Sequence, residues 1–161
     1  MLKDPNKTTR QLALRTLGDQ GFRSLKFANA IYERVDGEAA LEHLWTLHLL
    51  VGNEVPKMLE GFVEHERPEV RSWAIRLLAD QRTLLTKMVQ KLTALAQREE
   101  NVEVRTQLAA SCRRLPAQQG LPIVRALLQR DEDVDDIFQP LLLWWAIEEN
   151  CGRDPEAVLD L

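Results

Sequence analysis

Little in this chain is equipped for chemistry. Its two cysteines, Cys112 and Cys151, make neither a disulfide framework nor a metal set, and they leave the compartment unread. Of three histidines, His43 and His48 stand five apart, about 140° around a helix and outside the His-Glu-x-x-His spacing of a helical zinc site. No metal ligand, cofactor-binding residue or catalytic residue is expected. Aromatics are 6% of the residues, and glycine and proline number seven each. No stretch alternates as a strand would. The longest apolar run, Pro140 to Ile147, is far too short to span a bilayer, and Met1-Leu2-Lys3-Asp4-Pro5 lacks the apolar core of an export signal. The expected molecule is soluble, with no membrane partner. Basic excess is missing as well: 25 acidic against 21 basic residues leave a net charge of -4, which argues against nucleic acid as a general partner.

What is present is helix. Leu, Ala, Glu, Gln and Arg dominate, and 161 residues are enough for one domain, 1–161, that needs no metal or disulfide. Asp4-Pro5 predicts an N-cap and first turn, for a helix ending at Gly18 or Gly21. A second helix is expected from Phe22 to Val35, with Leu25, Ala28, Ile31 and Tyr32 on one face, closed by Asp36-Gly37. A third runs from Glu38 to Val51 and breaks at Gly52-Asn53; a fourth runs from Glu54 to His65 and carries Val55, Met58, Leu59 and Phe62. Pro68–Asp80 and Thr83–Arg98 form the clearest hairpin, the second helix presenting Leu84, Leu85, Met88, Leu92 and Leu95. Asn101 caps the next helix, Pro116 ends it, and Gly120-Leu121-Pro122 restarts its partner at Ile123. Asp136 and Gln139 have the separation of a capping box. The helix after them is apolar on every side and is expected to be covered on more than one face. Asp154-Pro155 opens a last helix about two turns from the final residue, as in a segment cut from a longer solenoid or one that covers its end by self-association through the apolar helix.

A helix-opening phrase recurs. Pro68-Glu69-Val70-Arg71 precedes Trp73-Ala74-Ile75-Arg76-Leu77-Leu78, and Val102-Glu103-Val104-Arg105 precedes Gln107-Leu108-Ala109-Ala110, with the two arginines 34 positions apart. Arg10, Ala13, Arg15 and Leu17 repeat the order of Arg71, Ala74, Arg76 and Leu78. Such a period belongs to stacked helical hairpins. These residues resemble HEAT repeats of the short bacterial kind, most strongly from Glu64 to Leu128. The resemblance implies an all-α superhelix, a HEAT-like or armadillo-type solenoid of about nine or ten helices. Its arginines would bridge to acidic turns of the neighbouring repeat. A narrower likeness rests on Leu44-Trp45-Thr46-Leu47-His48-Leu49-Leu50 and Pro140–Glu148, which are similar to the HEAT-like region of large exported planctomycete proteins of the membrane-bound dehydrogenase type. There the region joins a β-propeller to a cytochrome c module, which would make this chain a connecting scaffold in an exported or periplasmic parent. It has no Cys-x-x-Cys-His of its own, so no haem function carries over.

The function expected is that of a non-catalytic scaffold for protein partners or adjoining modules. Val70, Trp73, Ala74, Leu77, Val104, Leu108 and Leu115 are the expected packing residues. Trp144 and Trp145, about 100° apart on a helix, cannot point the same way, so one of them should meet a neighbouring repeat or a partner. With Arg113 and Arg114 they form the candidate partner contact. Cys112 shares a stripe with Leu108, Ala109 and Leu115 and reads as a small buried hydrophobe. His65, at a helix end, reads as a complement to the helix dipole. The alternative is a DNA-binding solenoid like the DNA-alkylation-repair glycosylases. It would use Arg82, Lys87, Lys91, Arg98, Arg113 and Arg114 as a basic face, although interleaved glutamates mark an ordinary solvated surface.

Overall fold

A computed structural model describes residues 4–19, 25–33, 35, 37–51 and 58–161. Among the described residues there are nine α-helices and no strand, so the protein is all-α. Two compact units divide the chain, Met1–Phe62 and Val63–Leu161. Gly21, Phe22, Asp36, Gly52-Asn53 and Val55, which bear on expected helix limits, lie outside the described residues.

The first unit holds α1 (Lys7–Asp19), α2 (Leu25–Tyr32) and α3 (Ala40–Val51), with α3 packed on both of the others. Helix α1 begins two residues later than its Asp-Pro signal predicts. Asn6 is the better-placed cap, its side-chain oxygen accepting from Thr8 N–H at 2.8 Å while Asp4 accepts from Asn6 N–H. The buried residues are Ala13 and Leu14 of α1, Ala28 and Ile31 of α2, Ala40, Leu44 and Leu47 of α3, and Leu59. Tyr32 leaves the expected buried face: it is partly exposed, with its ring against Phe62 at 5.0 Å.

The second unit holds α4 (Pro68–Ala79), α5 (Thr86–Arg98), α6 (Val102–Cys112), α7 (Ala117–Leu128), α8 (Gln139–Cys151) and the short α9 (Pro155–Leu159). Helix α6 packs between α4 and α8, and α7 lies against α5 and α9, so odd and even helices form two layers. Val70, Ala74, Leu78, Val104, Leu108 and Leu115 are buried as their stripe requires, each large one contributing about 1.5–3 kcal/mol. Trp73 is only half-buried, with the Arg76 guanidinium 5.0 Å above its ring.

Adjacent layers touch through residues one repeat apart. Arg98 reaches Glu64, Arg114 reaches Asp80, and Arg130 donates to the carbonyls of Ala96 and Gln97; these pairs are 33 or 34 residues apart. Gln118 donates to Asp154, 36 residues on. The sequence period is thus the translation that lays one hairpin on the next.

Three local expectations need correcting. Helix α5 starts at Thr86, not Thr83, because Gln119 holds the preceding stretch of chain extended, accepting from Leu84 N–H at 2.8 Å and donating to Leu84 C=O at 3.0 Å. Leu85 therefore becomes an exposed N-cap and not a core residue. Helix α7 starts at Ala117, so Gly120 and Pro122 lie inside it. Gly120 lets α7 close on α6, since a Cβ there would sit 2.8 Å from the Cys112 carbonyl oxygen, while Pro122 occupies the exposed side, where the freed carbonyl meets water. The Asp136–Gln139 capping box is made on one side alone. Asp136 accepts from Phe138 and Gln139 N–H, both at 2.8 Å, but the Gln139 side chain points into the core with neither polar atom bonded.

Candidate protein-interaction surface

An arginine at the fourth position of a repeat's opening helix does the same work each time. Arg71 forks the Glu99 carboxylate at 2.9 and 2.6 Å and donates back to the carbonyls of His65 and Glu66. Arg105, 34 residues on, forks Asp133 at 2.6 and 2.5 Å and donates back to Glu99 and Glu100. Each fork reaches 28 residues forward into the turn that opens the following repeat, and the remaining nitrogen, Nη1, staples the turn behind. Arg10 of the first unit makes a partial version, a single bond to Glu42 in α3 at 2.7 Å, and donates back to the carbonyls of Asp4 and Pro5. Planar guanidinium suits this bidentate task better than an ammonium.

The electrostatics follow. Burial would raise the pKa of Glu99, but the Arg71 fork and the Asn101 N–H outweigh it and hold the carboxyl below its ordinary value. Hydrogen bonding to Asp133 raises Arg105 further. Lys91, first, and Arg98 lower Glu64 against the opposing effect of burial.

Pro140 interrupts the series. Aligned on the caps Asn101 and Asp136, Pro140 takes the arginine position and Gln139 the position of buried Val104. Helix α8 therefore carries no fork. It buries one face only, through Gln139, Leu143, Ala146 and Asn150. Ile137, Phe138, Leu141, Trp144 and Trp145 stand exposed, with Trp144 at 58% and Trp145 at 40%. The expectation that this helix is covered on more than one face is not met among the described residues.

The four candidate contact residues do not gather at one point. Arg113 turns towards α8 and pairs with Glu149 at 3.3 Å, whereas Arg114 turns the other way to Asp80 at 2.8 Å. Of the six cations proposed as a basic face, Lys91, Arg98, Arg113 and Arg114 are thus in ion pairs. A separate open groove of about 410 Å³ runs over α5, α7 and α9, lined by Thr93, Gln97, Gln118, Leu121, Arg125 and Ala157 among others.

His43 is buried and His48 half-buried on α3. His65 directly follows the 3-10 helix Phe62–Glu64, and its Nδ1 accepts from Arg67 N–H at 3.1 Å in the turn ahead of α4. Cys112 is fully buried, which pushes its thiol up to about 12. Among the described residues no three His, Cys, Asp or Glu side chains lie together as a metal site would need, and no helix is long and apolar enough to cross a membrane.

The acceptors Glu99 and Asp133 carry a signal in the sequence, an acid 28 residues beyond each repeat-opening arginine. The half-strength copy at Arg10, with its acid 32 residues on, obscures it. Gln119 and Gln139 carry none, since a surface glutamine and a buried one look alike in sequence.

No curated protein and no solved structure matches the chain. A family model described as HEAT repeats matches residues 55–137, a span that holds both Arg71 and Arg105 with their carboxylates Glu99 and Asp133. The fork that ties each hairpin to the next lies within the matched region, and this chain belongs to the HEAT-repeat family.

Proposed function

We propose that the chain is one HEAT-like domain acting as a non-catalytic scaffold for a protein partner or for adjoining modules of a parent chain. The observation that carries this reading is the arginine fork repeated at Arg71 and Arg105, which ties each of those hairpins to the next. A stack tied in this way offers constant side-chain positions, and binding to it costs little ordering. Trp144 and Trp145, exposed and aromatic, are the contact residues, with Arg113 and Arg114 beside the turn after α6. The test is a photo-crosslinking amino acid placed singly at 113, 144 or 145, with Lys87 as a control. Adducts at the first three positions and none at Lys87 are expected. Adducts at none of them, or equally at Lys87, overturn the assignment.

The likeness of Pro140–Glu148 to exported redox proteins gives a second setting for the same scaffold. The exposed face of α8, which carries that phrase, is where a neighbouring module would rest. A propeller or a Cys-x-x-Cys-His in flanking sequence decides for it. Duplex DNA binding predicts a salt-sensitive gel shift, and no shift at low ionic strength removes that alternative.

A further inference from the structure

We infer that the outer face of α8 docks a basic amphipathic helix. The inference deepens the scaffold reading and rests on it. Leu141, Trp144 and Trp145 recur at the three- and four-residue spacing of a helix stripe, Ile137 and Phe138 stand in the bend just before α8, and all five are exposed. At about 200 Å² for a full aromatic ring, the three rings alone leave roughly 300 Å² open. Ile137 and Leu141 bring the patch to on the order of 500 Å², near the upper end of what a soluble monomer exposes and a large part of the ~800 Å² that one partner gives a standard interface.

Charge identifies the occupant. From Asp131 to Leu161 the chain has ten carboxylate side chains and one arginine, Arg153, and of the ten Glu132, Asp133 and Glu149 are already paired with Arg130, Arg105 and Arg113. Exposed Asp135 stands two residues before Ile137, and exposed Glu148 one turn beyond Trp144 and Trp145. An apolar stripe with acidic margins selects a helix that carries leucine-like anchors between lysines or arginines. The other candidates fit less well. A further repeat of the same kind would receive an arginine fork, and Pro140 stands where that arginine belongs. A second copy meeting face to face would set acid on acid. Elsewhere among the described residues, exposed large apolar side chains such as Leu12, Leu49, Leu85 and Leu128 stand on separate elements and offer no matching stripe.

The test uses the full chain and two 14-residue model helices. One is built of leucine and lysine, and the other replaces each lysine with glutamate. Titration followed by tryptophan fluorescence and calorimetry is expected to give saturable one-to-one binding of the lysine peptide that weakens with added salt. The glutamate peptide should not bind. The double substitution W144A/W145A should weaken binding at least tenfold, and D135K/E148K several-fold, with helix content unchanged by circular dichroism because these side chains are exposed. No binding of the lysine peptide, equal binding of both peptides, or indifference to both sets of substitutions overturns the inference. So does sedimentation showing a dimer that W144A/W145A dissociates, because the occupant is then a second copy. Crosslinked adducts at Trp144 and Trp145 in the absence of peptide binding would sink this inference and leave the scaffold reading standing.

Discussion

Replacing Arg105 with methionine is expected to cost about 3–5 kcal/mol, the usual penalty for removing one member of a buried ion pair. The structure explains why the cost is so high. Both side chains of the Arg105–Asp133 pair are 6% exposed, so the change leaves a carboxylate buried with no counter-charge, and the carbonyls of Glu99 and Glu100 lose a charged donor. Methionine keeps most of the aliphatic stem, so the loss reports the fork and not a cavity. Arg114 provides the internal comparison. Its pair with Asp80 is 37% and 47% exposed, and R114M should cost no more than about 1 kcal/mol. Urea denaturation followed by circular dichroism measures both, and at roughly 2–4 °C per kcal/mol R105M should melt about 10 °C below the parent protein. The double variant R105M/D133L should recover a large part of the loss, because apolar groups of similar size need no counter-charge. An R105M cost equal to that of R114M, or no recovery in the double variant, would refute the account of the fork as the tie between repeats.

Three further outcomes are expected. Glu99 titrates below the ordinary 4.5, so its contribution is complete above that value and is lost as pH falls through the lowered one. E99Q should therefore be less stable at neutral pH yet lose less than the parent between about pH 5 and about pH 3, and equal slopes in urea midpoints over that range would contradict this. Cys112 is fully buried and its thiol is pushed up to about 12, while Cys151 is exposed. A thiol-reactive chromophore should thus modify Cys151 alone in the native protein and both cysteines in denaturant, whereas rapid native labelling of two would show the α6 core to be open. Q139V places the valine of the preceding repeat where Gln139 is buried with both polar atoms unbonded, and it should add about 1–3 kcal/mol. A loss of stability would mean that the amide has a partner.

Much of this architecture is legible in the amino-acid sequence, and the parts that are legible share a property. Pro68 at a first helical turn, Asn101 accepting from Glu103 and Val104 N–H, and Asp154 accepting from Ala157 N–H are all interactions within four residues. The repeat itself is visible because Arg71 and Arg105 face the same environment one hairpin apart. Misread positions fail where a distant group overrides a local preference. Gly120 and Pro122 signal a break, yet α7 runs through both because Gly120 must approach the Cys112 carbonyl. Leu84 and Leu85 read as helix core, yet the Gln119 side chain, 35 residues away, holds them extended.

The candidate surface divides along the same line. That α8 is apolar all round, and that its two tryptophans cannot face the same way, follow from the order of residues and the 3.6-residue turn. Which side is covered is decided by the stacking of α6 and α7 against Leu143 and Ala146, which leaves Phe138, Leu141, Trp144 and Trp145 outside. Whether an arginine is a free charge is decided in the same way, by partners 28 to 36 residues distant. Helix formation depends on neighbours that the chain supplies within one turn. Burial and charge pairing depend on which turn arrives from the next repeat, and only the folded stack settles that.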